Sequence, residues 1–393
     1  MKFLNNIFGK DRVEKIDLDD RFIRHGRVGQ GSMSKVWKAQ DKRNQKFVAL
    51  KVLDRAKMIR YEARFPPEYK KPAEGDIALT LKHPYIVETM EWGVTKDDEH
   101  FLVMDFVEGI GLALLTEMQN EQMRRYRLRY MIQIGHGLDY FHKKNWIHRD
   151  LCPRNIMVSE KENNIQLIDF GLVVPNTSDF RKPGNRTGTA NYMAPELIKR
   201  QPTDQRIDLF SYAVTCYEMY AKRLPWDAAL TLDAVVQHIN KPPVQLKELV
   251  PSIDDQIAET IMKGLAIDPN DRWQSAAQMT KAFKEAEKRM VMARRKKAGG
   301  NRTASVKKAD PATARRAAKK SADDEIDDLA ALAAEEMAET KVKRKSRTKT
   351  PATDASAPPA ADATKSKKSA GKKVRKRPAA PGKTKKKKKP SSD

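Results

Sequence analysis

After about Lys288 this 393-residue chain contains no aromatic residue, and that limits where a core can form. Residues 289–393 are mainly Ala, Lys, Arg, Pro, Ser and Thr, with too little apolar surface to offset the entropy of ordering. They are expected to be a disordered tail. The folded body is expected in residues 21–288, behind a short extension at 1–20. The charge divides near the same place: residues 293–393 carry 31 Lys/Arg against 12 Asp/Glu, which is +19 of the formal +25. Residues 1–292 therefore hold only about +6 and fit an ordinary globular body. One island interrupts the tail. Residues 323–340 open on Asp323, Asp324 and Glu325, lead to Lys341 and Lys343, and space Ile326, Leu329, Leu332 and Met337 near helix period. That polarity suits the helix macrodipole and predicts a helix there.

Within the body the hydrophobic period changes along the chain. Residues 21–57 read as strand-rich, with Val48, Leu50 and Val52 in a run that looks like a buried strand around Lys51. Residues 73–81 predict a short helix, with Pro72 suited to its first turn, and residues 100–107 another apolar strand. After Gly109 the spacing turns helical, as in Met131, Ile134, Leu138 and Phe141 and again over residues 208–220. Strands first and helices later argue for an α+β chain with a small sheet lobe and a larger helical lobe. Two cysteines, Cys152 and Cys216, exclude a disulfide framework and fit a reducing cytoplasm. No apolar run reaches the ~18–20 residues a bilayer-spanning helix needs.

The chemistry concentrates in a few places. Gly29-Gln30-Gly31-Ser32-Met33-Ser34-Lys35-Val36 lies between two predicted strands, where Gly29 and Gly31 let backbone N–H groups approach phosphates. Lys51 sits mid-strand among apolar neighbours, costly to bury unless paired. His148-Arg149-Asp150-Leu151-Cys152, then Asn155, then Asp169-Phe170-Gly171 supply a carboxylate that can orient a hydroxyl, an amide oxygen for a metal and a second metal carboxylate. Transfer of a phosphoryl group from ATP needs that set.

In this order, over residues 21 to about 285, the motifs resemble those of the eukaryotic-type protein kinases, most closely the serine/threonine kinases. The resemblance implies a bilobal fold and transfer of the γ-phosphoryl of ATP to protein Ser or Thr hydroxyls, with autophosphorylation, Mg²⁺ as the cofactor and Mn²⁺ as an alternative. It implies Asp150 as the hydroxyl partner, Asn155 and Asp169 as metal ligands, and Lys51 on the phosphates, paired with Glu74. Arg154 stands where the serine/threonine kinases usually carry lysine for the γ-phosphate, and Ser34 where a third glycine is usual. Val28, Val36, Ala49 and Met157 would enclose adenine. Asp105 and Val107, beyond Met104, would offer it backbone hydrogen bonds.

The resemblance further makes residues 169–196 an activation segment. Thr189 in Gly188-Thr189-Ala190-Asn191-Tyr192 marks its Ser/Thr-type substrate end, contacting the catalytic aspartate. Arg149 would pair with a phosphate on Thr177, Ser178 or Thr187. Asp208 would prop the catalytic loop, Arg272 would pair with Glu196, and His148 and Cys152 would be structural. A pseudokinase of the same fold is the first rival, and no catalytic residue is missing to favour it. The second is a nucleic-acid binder: the lysine runs at 341–349 and 383–389 resemble linker-histone-like tails, which would bind DNA or another polyanion without sequence preference. Together these features imply a bacterial, cytoplasmic protein with protein substrates, nucleoid-associated if the tail binds DNA.

Overall fold

The computed structural model describes residues 15–30, 33–69, 71–184, 186–226 and 241–305, with side chains to Lys296. The tail from 306 onward, with its expected helix at 323–340, lies outside the described residues, as do Gly31 and Ser32.

After a one-turn helix α1 (Leu18–Arg21), five strands form one sheet: β1 (Phe22–Gln30), β2 (Ser34–Asp41), β3 (Phe47–Leu53), β4 (Thr89–Val94) and β5 (His100–Asp105), in the order β1-β2-β3-β5-β4. Every neighbouring pair is antiparallel. The strand period of two explains the division of β3. Val48, Leu50 and Val52 enter a small cluster with Phe22, Ala39 and Phe101, whereas Leu53 joins the larger core and Lys51 turns toward the cleft.

The strand-rich pattern predicted through residue 57 stops at β3. Arg55–Glu62 is a helix, α2, started by Asp54, whose carboxylate accepts the Lys57 N–H at 3.0 Å. A capping acid outweighs a few residues of ambiguous period. Helix α3 (Glu74–Leu79) is shorter than the predicted 73–81, and its N-cap is Ala73, so Pro72 precedes the first turn. Its Gly75 lies flat against Trp92, where an added Cβ would stand 2.2 Å from the indole.

Helices α4 (Leu112–Met118), α5 (Glu121–Lys143), α6 (Ser178–Arg181), α7 (Pro195–Ile198) and α8 (Arg206–Ala221) build the larger unit, with short strands β6 (Gly109–Gly111), β7 (Trp146–Ile147), β8 (Ile156–Ser159), β9 (Ile165–Leu167) and β10 (Val174–Pro175). Most of α8 is buried, and Tyr212 donates to the Met131 carbonyl of α5 at 2.5 Å, so these helices frame one core. The two units are stitched by β9, where Val87 N–H donates to the Leu167 carbonyl and Leu167 N–H to that of Tyr85.

The C-terminal helix runs Ala276–Ser305, well past the point at which the sequence pattern predicts the body to end. Loss of aromatics marks where packing fades. Ala, Lys and Arg remain strong helix formers, and a helix nucleated by its packed first half (Ala276, Met279, Phe283) can extend through them. Among the described residues no helix is long and apolar enough to cross a membrane.

His83 sits where the units meet, its ring 5.0 Å from that of Tyr140 and its Nδ1 accepting the Tyr85 N–H at 3.2 Å. Burial, aided by the His136 and Lys143 charges, pushes its pKa down to about 4. The unfolded chain protonates this imidazole near pH 6.5 while the folded one resists until about pH 4. Its contribution is therefore complete above pH 6.5 and shrinks as pH falls through that window. The drop in melting temperature between pH 7 and pH 5 should be smaller in His83→Gln than in the parent. An equal drop in both would remove His83 from the account.

Candidate active site

Lys51 is bounded across the sheet by Val36 on β2 and Leu102 on β5, so its side chain is only 4 % exposed. Its Nζ donates to Glu74 Oε1 at 2.5 Å and to Asp169 Oδ1 at 2.7 Å. Burial alone would make this lysine easier to deprotonate, but the charges of Asp169 and Glu74 outweigh it and raise its pKa. Asp169 answers in kind: against the burial penalty, Lys51 and the Gly171 N–H hold its carboxyl below the usual range. Glu74, also buried, is pushed upward: burial and the Asp169 charge beside it outweigh the pull of Lys51 and Lys71. The Glu74 expected beside Lys51 is delivered there by the first turn of α3.

The loop from His148 to Asn155 is held from below. Asp208, fully buried on α8, accepts the backbone N–H groups of His148 and Arg149, each at 2.8 Å, and faces His142 Nε2 at 3.0 Å. Arg149 is thereby kept at φ +66°, a left-handed backbone few non-glycine residues adopt. That turn presents Asp150 to the cleft. Its Oδ1 accepts the Thr189 N–H at 2.7 Å, and its Oδ2 and backbone carbonyl both accept from Asn155 Nδ2, at 2.9 and 2.8 Å. Thr189 thus reaches Asp150 through its amide, while its hydroxyl lies 3.9 Å from Cys152 Sγ. Gly188 permits this approach: at φ +136°, an added Cβ would stand 2.6 Å from the Arg149 carbonyl.

The donor set fits a hard divalent cation. With its nitrogen committed to Asp150, the Asn155 amide keeps its oxygen for a ligand, and both described hydrogen bonds of Asp169 fall on Oδ1, leaving Oδ2. Oxygen donors, few in number, are what Mg²⁺ prefers. Phe170, between these residues, packs against Phe141 and His148 at 5.5 and 6.3 Å. Burial lowers the His148 pKa, which suits a packing imidazole better than a base.

Of the residues assigned to adenine, Val36, Ala49 and Met157 are half-buried, Met104 is buried opposite Ala49, Gly29 pairs with Val36 and Val28 is exposed. Val107 packs on the core edge. The Asp105 N–H donates to the Glu88 carbonyl at 2.9 Å, so an adenine contact from Asp105 would use its carbonyl. Arg154 is exposed on the turn Pro153–Asn155. Thr177 and Ser178 are exposed and Thr187 buried, while the buried Arg149 guanidinium donates from Nη2 to the Phe180 carbonyl at 2.7 Å. Arg272 grips Glu196 with two bonds of 2.7 Å.

The profile of the Protein kinase domain family matches residues 22–284. The chain belongs to the protein kinase family. Relatives include a probable serine/threonine-protein kinase of Clostridium perfringens, 30 % identical over 64 % of this chain and 36 % of that protein. Serine/threonine-protein kinase PknB of Mycolicibacterium smegmatis is 28 % identical over 67 % of this chain and 42 % of its own length, and PknA of Corynebacterium glutamicum 30 % over 70 % and 58 %. The kinase thus spans only about a third to three-fifths of the relatives it matches.

Several residues that shape this kinase site escaped the sequence reading. Tyr61, Met58 and Lys71 line the cleft beside Lys51, Asp150 and Asp169, delivered by α2 and the chain after it. Tyr192 donates to Glu218 of α8, whose carboxyl burial raises. The Asp54 cap and the Tyr61–Phe65 spacing of four were the available signals for the first group; nothing local linked Tyr192 to Glu218.

Proposed function

We propose that this kinase transfers the γ-phosphoryl of MgATP to Ser or Thr hydroxyls of proteins, itself among them. The observation that carries the reading is Asp150, held at both carboxylate oxygens by Thr189 and Asn155 and aimed into the cleft that Lys51 and Asp169 share. Positioning and charge neutralisation, rather than covalent work, govern this reaction. Asp150 orients the acceptor hydroxyl and takes its proton, Lys51 positions the α- and β-phosphates, and Arg154 faces the charge that develops on the transferred group. Asn155 and Asp169 would hold Mg²⁺, which when bound neutralises the phosphate oxygens. The Ser/Thr preference rests on the Gly188–Tyr192 stretch and on the kinases it resembles.

The test is transfer from γ-labelled ATP to a mixed peptide library, with the labelled residues mapped. Lys51→Met should lower turnover at least about 100-fold, with far-UV circular dichroism unchanged. Turnover within about tenfold of the parent would remove Lys51 from its role. The lysine runs at 341–349 and 383–389 support a second property, salt-dependent retention on polyanions such as DNA. Retention at low salt by the full chain but not by one ending at Ser305 is the expected result; equal retention would discard it.

A further inference from the structure

The chain between β3 and α3 meets the segment that follows Asp169-Phe170-Gly171, and the meeting is aromatic. Phe180 is buried, with its ring 5.5 Å from that of Phe65 and 5.6 Å from that of Tyr69. Phe65 stands edge-on to Tyr61 at 5.4 Å, and the Tyr61 hydroxyl donates to the Leu172 carbonyl at 3.3 Å. We propose that Phe180 is a positioning residue: seated between Phe65 and Tyr69, it holds the activation segment and, through Arg149, the catalytic loop in the working arrangement without a phosphate on the segment. This rests on the phosphotransfer reading above and names how that site is kept in order.

Phe180 accepts Arg149 Nη2 on its carbonyl, and Arg149 is 6 % exposed, with no hydrogen-bond partner for Nε or Nη1 among the described residues. That bond is the one described hydrogen bond that offsets part of the desolvation of this buried guanidinium, so the place of the Phe180 carbonyl matters to Arg149. Arg149 is also the residue whose left-handed backbone, bonded to Asp208, sets the direction of Asp150. Both flanks of α6 are tied by backbone bonds, Asn176 N–H to the Asn145 carbonyl at 2.8 Å and Thr203 N–H to that of Arg181 at 2.9 Å. Thr177 and Ser178, the exposed hydroxyls of this stretch, take no part in the aromatic contact. Burial of the ring fixes the backbone carbonyl to which Arg149 donates, and so supplies the anchoring, though not the charge pairing, that a phosphate on the segment would give.

The experiment uses the full chain, freed of phosphate by a phosphatase and checked by mass spectrometry. Its initial rate on ATP and a peptide should stay within about threefold of the untreated enzyme, with no lag. Phe180→Ala should lower kcat about 10- to 100-fold with the KM for ATP little changed, and Phe180→Leu should recover most of the loss. Hydrogen exchange over residues 172–184 should quicken in Phe180→Ala, and also in Phe65→Ala, which removes the other face of the contact if the first variant folds poorly. Unchanged kcat and exchange in Phe180→Ala would overturn the proposal. So would loss of activity on dephosphorylation, since a phosphate would then be the anchor. If the parent transfers no phosphate at all, the phosphotransfer reading falls, while the exchange rates still decide whether Phe180 anchors the segment.

Discussion

Asp150→Asn is expected to lower kcat by about 100- to 10,000-fold, the range for losing a positioned acid–base group, while ADP binding and its KM partner ATP change little. The substitution preserves size but removes the charge that, in the proposed reaction, would orient the hydroxyl and receive its proton. It also leaves a local conflict. One carboxylate oxygen of Asp150 accepts from Thr189 N–H and the other from Asn155 Nδ2, so an amide in its place must turn its own NH₂ toward one of these donors. A stability loss of about 1–3 kcal/mol should accompany the kinetic loss. Steady-state kinetics with a mapped peptide, beside thermal melts, check both. A kcat within about tenfold of the parent would show that the hydroxyl finds another partner.

Arg272→Ala should cost about 3–5 kcal/mol of stability, the range for removing one member of a buried ion pair. The Arg272 guanidinium is fully buried; besides Glu196 it donates to the carbonyls of Ala266 and Ile267, and it stacks over Phe210 at 4.9 Å. Its removal strands the Glu196 carboxylate at the foot of the activation segment. The melting temperature should fall by roughly 6–20 °C. The pair Arg272→Met/Glu196→Leu should fall less than Arg272→Ala alone, because no buried charge is left unpaired. Equal melting of Arg272→Ala and the parent would mean that Glu196 escapes to water.

What could be read from the chain follows a physical division. That Asp150, Asn155 and Asp169 belong together was legible because the proposed transfer needs a hydroxyl partner and metal oxygens within a few ångströms, and the structure bonds Asn155 to Asp150 and sets Asp150 and Asp169 in one cleft. Lys51 was legible because a lysine between Ala49-Leu50 and Val52 asks for a partner, and the structure supplies two. The aromatic seat of Phe180 was not legible. Phe65 and Tyr69 stand four apart, but Phe180 lies more than a hundred positions further along the chain, and α2 shows no clear amphipathic pattern, with Tyr61 its one buried residue. The amide role of Thr189 was hidden for a related reason: a residue type announces its side chain, but the backbone N–H it offers depends on Gly188 and the turn around it.

The two cysteines give the molecule a built-in clock. Burial, with the nearby Asp150 charge, pushes the Cys152 thiol up to about 11, and burial within α8 raises that of Cys216 well above its ordinary value. Only a thiolate reacts quickly with an alkylating reagent, so both sulfurs are silent while their surroundings stay closed. Their addresses differ. Cys152 becomes available when the catalytic loop lifts, whereas Cys216, in the middle of the helical core, waits for the whole unit to open. The ratio of their labelling rates therefore separates breathing of the active site from loss of the fold, without a probe added to the chain.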